Sequence, residues 1–273
     1  LIPLVLKNNS FEWIFTEYKT ELKFNVKKLF LDAKSVESWL RAIEKTKPQV
    51  VVLISNIRHY KFLKKALDIL KIYPHLHIIG TTGVHSKFKE YSFEYKKIEE
   101  DIFNYPGNVA LLRPSMIYGD IQDKNLHKVF YFIAKYRFFI IFGNGRSLVQ
   151  PIYYEDLSKA IYSSIELGYC ENPLDLTGKD VVTTKELFLS IFKVLGIKPF
   201  LIRINPIIMK IFIRLLNLIP LYSFPISIEQ VNRFSENKAF PNRDAYEKIK
   251  FSPMPLEKGL LKEAIQLSLK DKV

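Results

Sequence analysis

Residues Pro48 to Gly80 read PQVVVLISNIRHYKFLKKALDILKIYPHLHIIG. Val50 to Ile54 is a continuous apolar run with no alternation, as in a strand covered on both faces of a parallel sheet. Tyr60 to Ile72 places apolar residues at 62, 63, 66, 67 and 70, the spacing of one helix face. Leu76 to Ile79 is a second short apolar run. A strand, a helix and a strand of these lengths make a parallel pair joined by a right-handed crossover.

Working outward, the same rhythm continues. Phe11 to Thr16 (FEWIFT) is aromatic and β-branched, hence strand-like. Ser35 to Thr46 has helical spacing and ends before Pro48. Tyr91 to Phe103 is a helix candidate, and Val109 to Leu112 is a buried strand before Arg113-Pro114. The alternation predicts an α/β fold, a Rossmann-like doubly wound parallel sheet. Ligands of such sheets bind at the carboxyl ends of the strands, here near Thr16-Glu17, Ile54-Ser55, Thr81-Thr82 and Pro114-Ser115. After about residue 120 the rhythm changes. Asn125 to Arg137 reads as an aromatic helix, and Phe138 to Phe142 as a strand ending in the loop Gly143-Asn-Gly-Arg-Ser147. Asp156 reads as the cap of a helix reaching about Leu167, and Leu174 to Leu176 as a short strand. Thr183-Thr-Lys-Glu186 is a capping box for a helix that Gly196 stops. A polar helix near Ile228 and a last helix from Leu256 follow. The expected division is residues 1–120, the parallel-sheet unit, and 121–273, a smaller C-terminal α/β domain packed on its ligand edge.

Composition bounds the function. The chain has 273 residues, 48% hydrophobic and 25% charged, which excludes disorder as its main state. Its single cysteine, Cys170, forms no intramolecular disulfide and fits a reducing compartment, so a cytoplasmic location is expected. Forty-one Lys and Arg against 28 Asp and Glu leave a net charge of +13. The basic residues are dispersed, with no zinc-finger or RNA-recognition signature, so nucleic acid is not the expected partner. Ile207 to Leu221 is the most apolar stretch. Lys210, Arg214 and Pro220 interrupt it, so it reads as a core or interfacial helix and leaves peripheral membrane contact open.

Three segments together resemble one family. They are Leu111 to Gly119 (LLRPSMIYG), Gly143-Asn-Gly145 with Gln150 to Leu157 (QPIYYEDL), and Leu174 to Gly178 (LDLTG) with Thr183 to Leu187 (TTKEL). Their order and spacing are similar to those of extended short-chain dehydrogenases/reductases, the NAD-dependent epimerase/dehydratase family acting on nucleotide sugars. The resemblance covers nearly the whole chain. It implies that NAD, or NADP as the less favoured alternative, is held by Asp32, Ile54, Ser55, Pro114, Ser115 and Ile117. An acid at Glu17 would favour NAD. The substrate would be a nucleotide-sugar-like small molecule met by Arg146 and Gln150, with Arg233 read as solvated surface. A homodimer is left open, and no metal is expected. In the family a strand and a Gly-rich turn precede a helix like Leu1 to Lys7. No such turn stands before residue 80, so an upstream truncation is expected, with loss of the pyrophosphate cradle as the alternative.

The family's chemistry uses a Tyr to move a proton, a Lys one helical turn later to lower the Tyr pKa, and a Ser or Thr to orient the substrate oxygen. Here the resemblance implies Tyr91, with Thr81 and Thr82. The aligned Lys position holds Tyr95. Lys96 is one residue further on, about 100° around the helix. Three readings stay open: Tyr91 acting with Lys96 or Lys97 after a distortion, an atypical site using His85, or an inactive site. At the level of function the alternatives are a nucleotide-sugar epimerase, dehydratase or reductase, a catalytically silent binding or assembly module, and a basic binder of nucleic acid or anionic membrane.

Overall fold

The computed structural model describes residues 4, 12–17, 26–119, 123, 126–168, 170–216, 232–233 and 235–269. Most of the expected Leu1 to Lys7 helix lies outside them, as does most of the polar helix near Ile228, of which residues 232–233 are described as helical.

The expected α/β architecture is present. Strands β3 (Val50–Leu53), β4 (His75–Ile79), β5 (Val109–Pro114) and β10 (Leu174–Leu176) form one parallel sheet in the order β10-β5-β4-β3. Val50 pairs with His75, Leu76 with Val109, and Leu174 with Leu112. Leu174–Leu176, read from sequence within the second half, is thus the edge strand of the first half's sheet. A further parallel pair, β1 (Phe15–Glu17) with β2 (Lys28–Phe30), stands apart. Among the described residues no strand links it to β3.

Helices cover both faces. α1 (Val36–Thr46), α2 (Tyr60–Leu70) and α3 (Lys89–Phe103) pack Trp39, Ile43, Leu63, Leu67 and Ile102 against Leu53, Ile78 and Leu111. On the other side α5 (Tyr154–Leu167) and α8 (Arg243–Ile249) pack Ala160, Ile161, Ala245 and Ile249 against Ala110, Leu112 and Leu176. Ala110, Leu111 and Leu112 alternate between the two cores because successive side chains of a strand point to opposite faces.

A third core lies in the second half. It joins Tyr118 of β6 (Ile117–Tyr118) to α4 (Leu126–Tyr136), α6 (Thr184–Leu195) and α9 (Leu256–Gln266). Three short pairs frame it. β6 runs parallel to β9 (Ile152–Tyr153), and β7 (Phe139–Phe142) runs parallel to β12 (Leu201–Ile204). β8 (Leu148–Val149) runs antiparallel to β11 (Val182–Thr183). The capping box stands as expected: Thr183 accepts the Glu186 N–H, the Glu186 carboxylate accepts the Thr183 N–H, and Gly196 closes α6 at φ 69°. Asp156 is a correction. Its helix starts earlier, from Tyr153, and the buried Asp156 carboxylate instead accepts the Met254 N–H at 2.8 Å. Of the apolar stretch from Ile207, the described part is α7 (Pro206–Leu216). No described helix is long and apolar enough to cross a membrane.

Candidate active site

The parallel sheet sends β3, β4, β5 and β10 to one edge, and most of the expected site residues lie on the turns leaving it. Beyond β2, Asp32 forms a local turn: its carboxylate accepts the Lys34 N–H and its own N–H donates to Ser38 Oγ, both at 2.9 Å. The helix cap itself is Ser35. Ile54 is 54% exposed at the end of β3. Ser55 Oγ lies 3.1 Å from His59 Nδ1. Burial and the Lys34 ammonium push the His59 pKa down, and the Asp32 carboxylate opposes them, so Asp32, Lys34 and Ser55 converge on this ring. No motif marked His59 in the sequence. Glu17, at the end of β1, is 3.8 Å from Lys28 Nζ.

Beyond β4, Thr81 Oγ1 accepts the Gly83 N–H at 3.1 Å and caps a 3-10 turn, Thr82–His85. Thr82 is buried, and its hydroxyl donates to the Pro114 carbonyl at 3.4 Å. His85 Nε2 lies 3.1 and 2.9 Å from the two carboxylate oxygens of Asp175 on β10. Arg113 on β5 extends this chain. Its Nη1 is 3.8 Å from Asp175, while Nε donates to Glu99 at 2.9 Å and Nη2 grips the other Glu99 oxygen. A cavity of about 300 Å³ opens here, lined by His85, Lys96, Glu99, Phe103 and Arg113.

Tyr91 falls on α3, and its side chain lies outside the described residues. Tyr95 is buried in the core. Arg58 stacks over its ring at 4.9 Å, donates to its hydroxyl at 3.2 Å, and holds Glu94 through two further bonds. Lys96 therefore opens into the His85 cavity, while the position a turn after Tyr91 is packed against Arg58.

At the β5 end, Pro114 and Ser115 are buried. Ser115 Oγ donates to the Gln150 carbonyl at 2.5 Å, and Ile117 enters β6. Gln150 differs from its expected substrate-facing role. Its Nε2 donates to Gly178 at 2.7 Å and its Oε1 accepts the Phe240 N–H at 3.1 Å, so both ends of the amide brace the protein. Arg146 is exposed on a turn closed by Asn144 Oδ1.

A segment that sequence motifs did not flag, residues 235–240, straps this edge. The Glu236 carboxylate accepts Ser86 Oγ at 3.0 Å and the Lys87 N–H at 2.6 Å, and the Phe240 ring lies 4.8 Å from His85. Arg233, expected on the surface, is half-buried. Burial, and next the Arg233 charge, push the Lys238 ammonium below its usual pKa. Burial also raises the pKa of Tyr118 and Tyr153, which removes both as bases near neutral pH. No described group of three His, Cys, Asp or Glu side chains is arranged to hold a metal.

With this geometry the chain can be set against known proteins. No family profile matches it. Over 91 residues it is 31% identical to the mitochondrial NADH dehydrogenase [ubiquinone] 1 alpha subcomplex subunit 9 of Arabidopsis thaliana. That match spans 33% of this chain and 22% of the relative's length. Solved structures resemble it throughout. UDP-glucose 4-epimerase of Thermotoga maritima, solved with UDP-glucose, gives a TM-score of 0.71 at 13% identity, covering 98% of this chain and 94% of that one. UDP-glucuronic acid 4-epimerase of Bacillus cereus, in complex with UDP-glucuronic acid and NAD, gives 0.73 at 14%, covering 99% and 95%. dTDP-glucose 4,6-dehydratase of Bacillus anthracis, in complex with NAD, gives 0.71 at 13%, covering 99% and 92%. The chain has the Rossmann-like fold that these epimerases and dehydratases share.

Proposed function

We propose that the chain is a dinucleotide-binding member of the epimerase/dehydratase family, acting at a hydroxyl or carbonyl carbon of a nucleotide-sugar-like substrate. The observation that carries this is the convergence of Ile54-Ser55, Thr81-Thr82 and Pro114-Ser115 on one edge of a co-directional sheet, with cations grouped beyond it. The residues present fit the nucleoside parts of NAD: the Asp32 turn suits the adenine end, and Pro114, Ser115 and Ile117 suit the nicotinamide end. No described Gly-rich turn fits its diphosphate. NAD, when bound, supplies the hydride acceptor and donor. Thr81 keeps a hydroxyl proton uncommitted among the described residues and orients the substrate oxygen. Tyr91 moves the proton, or His85 does so with its ring fixed by Asp175. Arg146, Arg233 and Lys238 meet the substrate diphosphate, which suits planar guanidinium groups and a compact ammonium.

A second reading, a catalytically silent binding or assembly module, is favoured by Tyr95. It fills the position of the family's Lys and is held by Arg58. The Arabidopsis relative, by its name a subunit of a larger complex, points the same way. Calorimetry with NAD and UDP-glucose, followed by chromatographic analysis of the nucleotide sugar after incubation of both with the protein, separates the readings. Binding with turnover supports the enzyme, and binding without turnover supports the module. Loss of UDP-glucose affinity in Lys238→Ala, by at least tenfold, is expected under both. Absence of binding to either ligand overturns the proposal.

A further inference from the structure

Two stretches of this basic chain carry no carboxylate at all. One runs from Lys124 to Tyr154 and the other from Leu187 to Ile228. The parallel pairing of β7 with β12 sets them side by side. Phe138 links them further, with its ring 6.4 Å from Tyr136 on one side and 6.4 Å from Phe200 on the other. The result is that β7 and β12 lie side by side, each leading to or from a helix of the same stretch, and the charged groups within these stretches are all basic.

The second stretch also exposes large apolar side chains. Phe200 is 61% exposed, Ile207 64% and Ile208 63%, with Ile211 one helical turn beyond. Ile207, Ile208 and Ile211 share one side of α7, with Lys210 on the same helix, and Arg203 is exposed on β12. An exposed apolar patch of this size marks an interaction site rather than ordinary surface. A short helix with an apolar face and flanking cations, too short to span a bilayer, is built to lie at the boundary of headgroups and acyl chains. Single-stranded nucleic acid is held chiefly by stacking aromatics and phosphate-binding cations, and a row of isoleucines on one helix face offers it no stacking platform.

We propose that this face seats the protein on an anionic lipid surface, with Phe200, Ile207, Ile208 and Ile211 entering the headgroup layer and Arg203 and Lys210 meeting lipid phosphates and carboxylates. The proposal is independent of the nucleotide site.

Sedimentation of the full chain with vesicles of phosphatidylcholine, with and without phosphatidylserine, tests it. The chain is expected to bind the vesicles containing phosphatidylserine, more weakly as salt rises, and to bind pure phosphatidylcholine poorly. Ile207→Asp with Ile208→Asp should weaken this binding more than tenfold, because two exposed aliphatic groups no longer leave water. Arg203→Ala or Lys210→Ala should each weaken it about fivefold. All of these side chains are exposed or half-buried, so an unchanged melting temperature and unchanged nucleotide binding show the fold to be intact. No binding to phosphatidylserine vesicles, or binding that the Ile207→Asp, Ile208→Asp double variant leaves unaltered, overturns the proposal. So does association of the chain with itself or with RNA through the same residues in place of vesicle binding.

Discussion

His77 illustrates how a single side chain on the central strand couples the fold to pH. It is fully buried on β4, and its Nδ1 lies 3.0 Å from Ser164 Oγ. Ser164 Oγ also reaches the Ile161 carbonyl, and the buried His77 Nε2 has no hydrogen-bond partner, a setting that favours the neutral ring. Burial, helped by His75, pushes its pKa down to about 4 from the ordinary 6.5. The unfolded chain then binds a proton at higher pH than the folded one. Stability is full above 6.5, falls as pH drops from 6.5 toward about 4, and is flat below that. The loss is roughly 3 kcal/mol, at about 1.4 kcal/mol per pKa unit. Urea unfolding at neutral and acidic pH should show this slope, and His77→Leu should remove most of it. A His inside an apolar strand gives no sign in sequence of how deeply it is buried, so this titration was not legible there. The Arg58–Tyr95 stack was equally hidden, since 37 residues separate the partners.

At the scale of elements, local chemistry was readable wherever the partners lie within a turn of one another. The Thr183–Glu186 box is such a case, and it holds the first turn of α6, which supports Leu187, Ile191 and Phe192 in the core of the second half. Thr183→Ala should lower stability by about 1 kcal/mol in chemical denaturation. Asp156 shows the limit of the same reasoning. An Asp before a helical run has the composition of a cap, yet the helix extends two residues upstream and the carboxylate is drawn inward by the Met254 amide, 98 residues away. Gln150 shows the same limit. Its partners at Gly178 and Phe240 come from other elements, and only packing decides whether a polar side chain faces a ligand or the protein.

Over the whole molecule, the C-terminal helix α9 is pinned to the rest by two carboxylates. Asp156 accepts the Met254 N–H and Asp180 accepts the Leu256 N–H at 2.6 Å. Gly259, in the first turn of α9, lies so close to Tyr118 that a Cβ would stand 2.1 Å from its hydroxyl oxygen. Asp180→Ala should therefore cost about 1.5–3 kcal/mol, the range for hydrogen bonds to charged groups. The loss should appear as earlier amide exchange in α9 than in the central sheet. What the sequence by itself determined was the kind of fold and the order of its elements. Continuous apolar runs, helical spacing and capping residues are short-range signals, and they specify strands, helices and the strand ends where ligands bind. The tertiary structure alone decided which side chains meet at that edge: His85 with Asp175, Lys96 in their cavity, the strap at Glu236 to Phe240, and the union of two carboxylate-free stretches. Such contacts join residues far apart in the chain. They are set by how whole faces pack together, which no local window of sequence contains.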